Sequence, residues 1–220
     1  MPRPSRNIDQ TLINAALELL PVAGTRVLSI RQVCEHAGVN LGMFHYHFKT
    51  RDMFLRAVLQ QTYDGMFATL ELEAAKQTAP KDGLRAAVMT LARFARIHRH
   101  MLVRLVGDAL AGETVAVEFL KNNLPRHVGL VTKLIAAAQR DGTLRRIPPM
   151  QALAFLIGST GAPILLGTAI AASGMLPARI ADQFEKDTLT DDAVALRIDM
   201  ALAGLAPPTV ARTTKPGVRT

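Results

Sequence analysis

Residues Ser29 to Arg51 read SIRQVCEHAGVNLGMFHYHFKTR. Ser29 is placed to N-cap a helix, and Gln32 falls at its third position, the pattern of a capping box. Ile30, Val33, Cys34 and Ala37 recur at helical spacing as a buried face. Gly38 ends that helix, because glycine tolerates the left-handed backbone needed just past a C-terminus. Asn40 N-caps a second helix, which turns Phe44 and Phe48 inward four residues apart. Two short helices joined by a tight glycine turn predict a helix-turn-helix, whose second helix lies in a DNA major groove. That helix would expose Asn40, Leu41, Met43, His45, Tyr46 and His47. Such side chains suit contact with bases and phosphates better than a plain solvent face.

Outward from this stretch the chain reads as helix throughout, which predicts an all-α protein. No Asn-Gly or Asp-Gly turn joins two alternating strands. A first helix runs over about 8–23, with Ile8, Leu12, Ala15, Ala16 and Leu19 on one face. Thr50 caps a fourth helix that continues toward about Gln77. Residues 78–83, Thr-Ala-Pro-Lys-Asp-Gly, read as the clearest linker. Single helices are expected over about 84–106 and over 113–140, the second interrupted at Pro125. After Pro148-Pro149 comes a long apolar helix in which Pro163 removes a backbone bond to Ser159 and should kink it. Thr190 caps a final helix to about Leu205. The domain expectation is a DNA-binding unit with a basic arm over 1–50, a ligand-binding and dimerising body over 51–206, and a disordered basic tail over 207–220.

The 220 residues are 49% hydrophobic and carry a formal net charge of +8, which excludes wholesale disorder and suggests an acidic partner such as DNA. Excess charge sits at the two ends. Residues 1–60 hold seven Lys and Arg against four acids, and residues 207–220 hold three against none. Arg3 and Arg6 read as an arm that touches phosphates or a minor groove. The single cysteine, Cys34, cannot form an intrachain disulfide and reads as a buried thiol. The N-terminus lacks the apolar stretch of a signal peptide, so a cytoplasmic location is expected. From Ile147 to Ala178 there is no charge, a length that would span a bilayer. Gly158, Gly161, Pro163 and Gly167, with Ser159, Thr160 and Thr168, argue instead for a helix buried on most sides of a soluble assembly, with no membrane partner.

No familiar catalytic, cofactor or metal pattern occurs. His45 and His47, like His98 and His100, are two apart and point to opposite sides of a helix, so neither pair chelates one ion. Lys49 flanks the start of the fourth helix. Arg31 is expected to reach the DNA backbone, and the helix that Ser29 opens presents a phosphate-binding N-terminus. In the body, Leu91, Phe94, His98, Met101, Leu102 and Leu105 form an apolar stripe with one histidine. Either His98 is a polar group in a greasy ligand cavity, or it is a satisfied core histidine. The expected lining is Phe67, Leu91, Phe94, His98, Met101, Phe119, Leu124 and His127. The neighbouring arginines, Arg93, Arg96 and Arg104, are expected to pair with Glu71, Glu73, Asp108 or Glu118.

The stretch from about Ile8 to Val58 resembles the TetR family of bacterial one-component transcriptional regulators. The resemblance rests on AALELL (Ala15 to Leu20), Gly24-Thr25, SIRQVCEHAGV, and GMFHYHFKTRDMF with its Tyr-x-His-Phe-Lys-like ending. Three positions depart from the family's habit: Leu41 stands where Lys or Arg is common, Met43 where a small hydroxyl is common, and His45 where a tyrosine is common. The resemblance implies a phosphate contact from Arg51 and a homodimer formed by a four-helix bundle across a two-fold axis. It also implies repression of a palindromic operator with release by a small molecule, which the apolar lining suggests is hydrophobic or amphipathic. A regulator whose body only dimerises, with no ligand, is the alternative.

Overall fold

The structure is a computed structural model that describes residues 7–208. The arm residues Arg3 and Arg6 and the tail residues 209–220 lie outside them. Among the described residues eleven α-helices and no strand occur, in keeping with the all-α expectation. They are α1 (Ile8–Val27), α2 (Ile30–Ala37), α3 (Leu41–His47), α4 (Arg51–Ala75), α5 (Pro80–Ile97), α6 (Arg99–Leu110), α7 (Thr114–Arg140), α8 (Pro149–Leu156), α9 (Ala162–Ala172), α10 (Ala178–Thr188) and α11 (Asp191–Gly204).

Local signals set the start of the helices nearest the glycine turn. Ser29 and Gln32 form the full capping box of α2, and Gly38 closes that helix in the left-handed region at φ 63°. The side chains of Asn40, Thr50 and Thr190 each accept from a backbone N–H at the start of α3, α4 and α11. Phe44 of α3 is fully buried, and its ring meets that of Phe54 of α4 edge-on at 5.1 Å. Phe48 meets the same ring at 4.8 Å. A fully buried phenylalanine contributes about 1.5–3 kcal/mol, so this cluster clamps the short α3 onto the long α4.

The core of α1–α4 does not end at the helix-turn-helix. Leu12, Leu20, Phe44, Phe54 and Val58 share one apolar cluster with Met101 and Leu105 of α6 and Val115 and Ala116 of α7. A second cluster joins α5, α7, α8 and α11 around Leu84, Val88, Ile135 and Ile198.

Several elements differ from the sequence reading. The expected linker over 78–83 is mostly helix, since Pro80 occupies the first turn of α5, where its missing N–H removes no bond. The expected single helix over 84–106 is two, α5 and α6, with the chain turning at His98 (φ −100°, ψ 18°). Pro125 does not interrupt α7. Around Pro163 the disruption takes the form of a π-helical turn, Ile157–Gly161, between α8 and α9. There Thr160 returns its hydroxyl to the Leu156 carbonyl at 2.6 Å. The amphipathic α10 falls between the helices expected from the sequence, and it packs through Phe184, whose ring lies against Gly167. Arg96 pairs with Asp191 and Arg99 with Glu185, each at 2.7 Å. These partners lie on α11 and α10, not among the acids expected, because Asp108 and Glu118 are engaged elsewhere.

The apolar segment Pro149–Ala172 is the one helical stretch among the described residues long and apolar enough to cross a membrane by length and composition. Its composition predicts burial on most sides of a soluble assembly. Within the single chain only 28% of its apolar window is buried, and Phe155, Ile157 and Leu166 stay exposed. A second exposed pair, Leu196 and Met200, lies on the adjacent α11. Among the described residues no element covers this face.

Candidate nucleic-acid interface and the cavity behind it

The helix α3 projects from the rigid phenylalanine cluster with one side free. Tyr46 is 78% exposed and Leu41 51%, and His45, Asn40 and Lys49 are exposed beside them. Met43 and His47 are only half-exposed. His47 Nε2 is enclosed without a hydrogen-bond partner, so its ring leans on the protein more than its helical position suggested. Asn40 is engaged as the cap, accepting from Met43 N at 2.9 Å. Arg31 is free of the core and meets Glu35 at 2.9 Å. Ser29 is held in the capping box by Gln32, its own N–H donating to Gln32 Oε1 at 2.9 Å.

Arg51 is placed differently from a phosphate-facing arginine. Its Nε donates to the Leu28 carbonyl at 2.7 Å, and its Nη2 donates to the Thr25 carbonyl. The first turn of α4 thereby ties down the end of α1. Spacing alone puts Arg51 on the surface, but the neighbouring free carbonyls of α1 draw its guanidinium inward.

Thr25 is gripped from the other side as well. Asp108 Oδ2, near the end of α6, accepts from Thr25 N at 2.6 Å, from the Thr25 hydroxyl at 2.8 Å and from Arg26 N at 3.2 Å. Gly24 makes this approach feasible: its backbone stands at φ 69°, ψ 177°, and a Cβ there would meet Asp108 Oδ2 at 2.6 Å. Thr25, 1% exposed, is thus a junction of α1, α4 and α6. Sequence reasoning marked Gly24-Thr25 but had no signal for a partner 83 residues away.

The same α6 forms part of the wall of an apolar cavity of about 320 Å³ between α4, α5, α7, α8 and α9. Of the residues expected to line a ligand cavity, Leu91, Phe94, Met101, Phe119, Leu124 and His127 are on its wall. Phe67 and His98 are not. Phe67 stacks on Tyr63 at 5.8 Å, on the side covered by the Arg126 guanidinium at 4.2 Å. His98 stands at the turn between α5 and α6, its ring against Phe94 at 4.6 Å and facing an open groove. A continuous helix would have kept it in the apolar stripe, and the turn takes it out. Tyr63 and Asn123 are wall residues the sequence did not reveal. Val106, Leu124 and Ile157 line the cavity yet remain 40–52% exposed, which marks its mouth.

Burial sets the protonation of the histidines here. Desolvation pushes His127 and His98 below the ordinary imidazole value. The buried thiol of Cys34 is pushed up, chiefly by desolvation and then by Glu35, as befits a structural rather than a reactive cysteine. No cluster of His, Cys, Asp or Glu among the described residues is arranged to hold a metal ion.

A helix-turn-helix clamped to a helical body defines a class, the two-part helical DNA-binding proteins. Residues 12–58 match the family model described as bacterial regulatory proteins, tetR family. The HTH-type transcriptional repressor KstR2 of Mycolicibacterium smegmatis is 26% identical over 107 residues, 48% of this chain and 51% of that protein. The match thus spans about half of that relative's length. A TetR family transcription regulator from Marinobacter aquaeolei VT8 superposes with a TM-score of 0.65 at 14% identity, covering 92% of this chain and 97% of that one. A tetR-family regulatory protein from Rhodococcus RHA1 does so with a TM-score of 0.66 at 15% identity, covering 92% and 98%. At these identities the two structures establish the fold alone. Residues 12–58 are thus similar to the DNA-binding region of tetR-family proteins, and the chain as a whole shares the fold of two solved regulators of that family. That family consists of DNA-binding regulators rather than enzymes.

Proposed function

We propose that this protein is a ligand-responsive transcriptional regulator of the cytoplasm, a repressor, that binds a palindromic operator as a homodimer and is released by a small apolar effector. The observation that carries this reading is mechanical. The exposed recognition helix and the wall of an apolar cavity are joined by α6 through a hydrogen-bonded junction at Thr25. Residues 1–50 form the reading head, residues 51–206 sense and dimerise, and residues 207–220 form a basic tail. Leu41, Met43, His45, Tyr46 and His47 read bases, while Ser29, Arg31, Asn40 and Lys49 sit against the backbone of the DNA. Arg51 supports this surface by holding the end of α1.

The cavity argues against a body that only dimerises. Its 320 Å³ and almost wholly apolar wall match the dimensions and character of small-molecule pockets. A pure clamp has no reason to keep such a space. The two-fold partner is a second copy of the chain, covering the exposed Phe155, Ile157, Leu166, Leu196 and Met200. Small residues Ala154, Gly158 and Ala162 at four-residue spacing permit close approach of helices there. An effector works only if it favours one setting of α6 and α4 over another, which moves the two reading heads out of register with successive half-sites about one DNA turn apart.

Selection of bound sequences from a random duplex library, followed by footprinting, tests the proposal. A two-fold symmetric site is expected, with binding that weakens steeply with salt as roughly six to ten phosphates are neutralised. Failure to enrich any sequence, or one protomer per site at saturation, would refute it.

A further inference from the structure

An engineered cavity of about 150 Å³ holds a benzene molecule, so the 320 Å³ here has room for a frame of about a dozen non-hydrogen atoms. No Lys, Arg, Asp or Glu lies on its wall. An ionised ligand group buried there would lose its hydration with no counter-charge in return.

The few polar side chains of the wall are almost all engaged with the protein itself. Thr62 donates to the Val58 carbonyl at 2.9 Å, and Thr160 to that of Leu156 at 2.6 Å. The Asn123 amide donates to Gln60 Oε1 at 3.1 Å and to the Phe119 carbonyl at 3.0 Å. Tyr63 donates its hydroxyl proton to the Asn123 carbonyl at 2.8 Å, since a carbonyl can only accept. A phenol has one proton, so the 3.2 Å contact between Tyr63 Oη and His127 Nδ1 runs the other way, with Nδ1–H as donor. In the neutral imidazole that burial favours, Nε2 then carries a lone pair and no proton. It makes no hydrogen bond with the described residues. Asn123 Oδ1 in turn accepts from Gln60 Nε2 and Arg126 Nη1, so these side chains offer no free donor, and His127 Nε2 is left with an unused lone pair.

We propose that the cavity takes an uncharged, largely apolar molecule bearing one hydrogen-bond donor, a hydroxyl on a hydrocarbon frame, seated on His127 Nε2. This rests on reading the cavity as the effector site. Carboxylates are excluded twice, by charge and by lacking a donor. Ethers and ketones fit by size but leave the acceptor of His127 unmatched. Tyr63 is a positioning residue here: by receiving Nδ1–H it fixes the tautomer, and with it the preference for donors.

Titration calorimetry of the full chain with four probes of similar frame tests the assignment: para-pentylphenol, pentylbenzene, para-pentylanisole and para-pentylbenzoate. The phenol, uncharged near pH 7, is expected to bind about tenfold tighter than the hydrocarbon or the ether, the worth of one hydrogen bond, and the benzoate weakest. His127→Phe should bind pentylbenzene as before and lose the preference for the phenol. Tyr63→Phe frees the tautomer, so the gap between phenol and ether should narrow to a few-fold. Anisole or benzoate binding as tightly as the phenol would overturn the proposal, as would a phenol preference that survives in His127→Phe. If none of the four binds, the cavity is no ligand site, and this inference falls together with effector release. A phenol preference with no effect of the phenol on operator affinity would support the ligand class while refuting release.

Discussion

Replacing Gly24 with alanine probes the junction between reading head and body. Gly24 lies at φ 69°, ψ 177°, a region essentially confined to glycine, where another residue costs about 1–3 kcal/mol. The added methyl would also stand 2.6 Å from Asp108 Oδ2, so the carboxylate must move off its three donors on Thr25 and Arg26. A hydrogen bond to a charged acceptor contributes about 1.5–3 kcal/mol. Losing one of them on top of the strain gives a cost on the order of 3–6 kcal/mol. At about 2–4 °C per kcal/mol for a chain of this size, Tm should fall by roughly 10–20 °C. Gly38→Ala is the matched control. It has a left-handed φ of 63° but no atom of the described residues within 4 Å of the new methyl, so it should cost only about 1–2 kcal/mol. Thermal and urea unfolding followed by circular dichroism, at one protein concentration, measures both. In an Asp108→Ala background the methyl meets no carboxylate, and Gly24→Ala should then cost little more than the backbone strain. Equal costs for the two glycine variants, or additivity of Gly24→Ala with Asp108→Ala, would refute the clamp.

Three further outcomes are expected. Tyr46→Ala should leave Tm unchanged within about 1 °C, because the side chain is largely exposed, while weakening binding to a selected operator at least tenfold; unchanged affinity by fluorescence anisotropy would displace α3 as the reading helix. A Cβ added at Gly158 meets no described residue within 4 Å, so Gly158→Leu should leave the protomer folded yet weaken the dimer through overpacking, and sedimentation equilibrium with wild-type association would refute the assigned face. Burial holds His127 and His98 below the ordinary imidazole value, and burial then Arg99 do so for His100. The unfolded chain therefore binds protons that the native chain does not, and stability should decline as pH falls below about 6.5. A urea midpoint that is flat between about pH 7.5 and 5.5 would contradict this.

What the sequence by itself determined lies within a few residues of each signal. Ser29 with Gln32, Gly38, Asn40 and Thr50 act on backbone groups three or four positions away, so their roles survive any tertiary arrangement. The inward turn of Phe44 follows from helical spacing for the same reason, whereas Phe48 stands past the end of α3 in extended backbone and reaches Phe54 through packing. Tertiary structure decided the rest, because it concerns which helix face meets which. Asp108 reads as one more surface acid until α6 lies across α1 and delivers it to Thr25. Phe67 and His98 share the apolar rhythm of true wall residues, yet a stack with Tyr63 and a turn between α5 and α6 remove them from the cavity. Arg51 was drawn inward by carbonyls whose position depends on how α1 ends. Which nitrogen of His127 keeps its lone pair depends on Tyr63, 64 positions earlier, whose oxygen accepts from Nδ1–H. Periodicity records that a residue is apolar or polar at a given angle around its own axis. The angle at which two helices cross, and hence the partner found there, is set by packing between segments far apart in the chain.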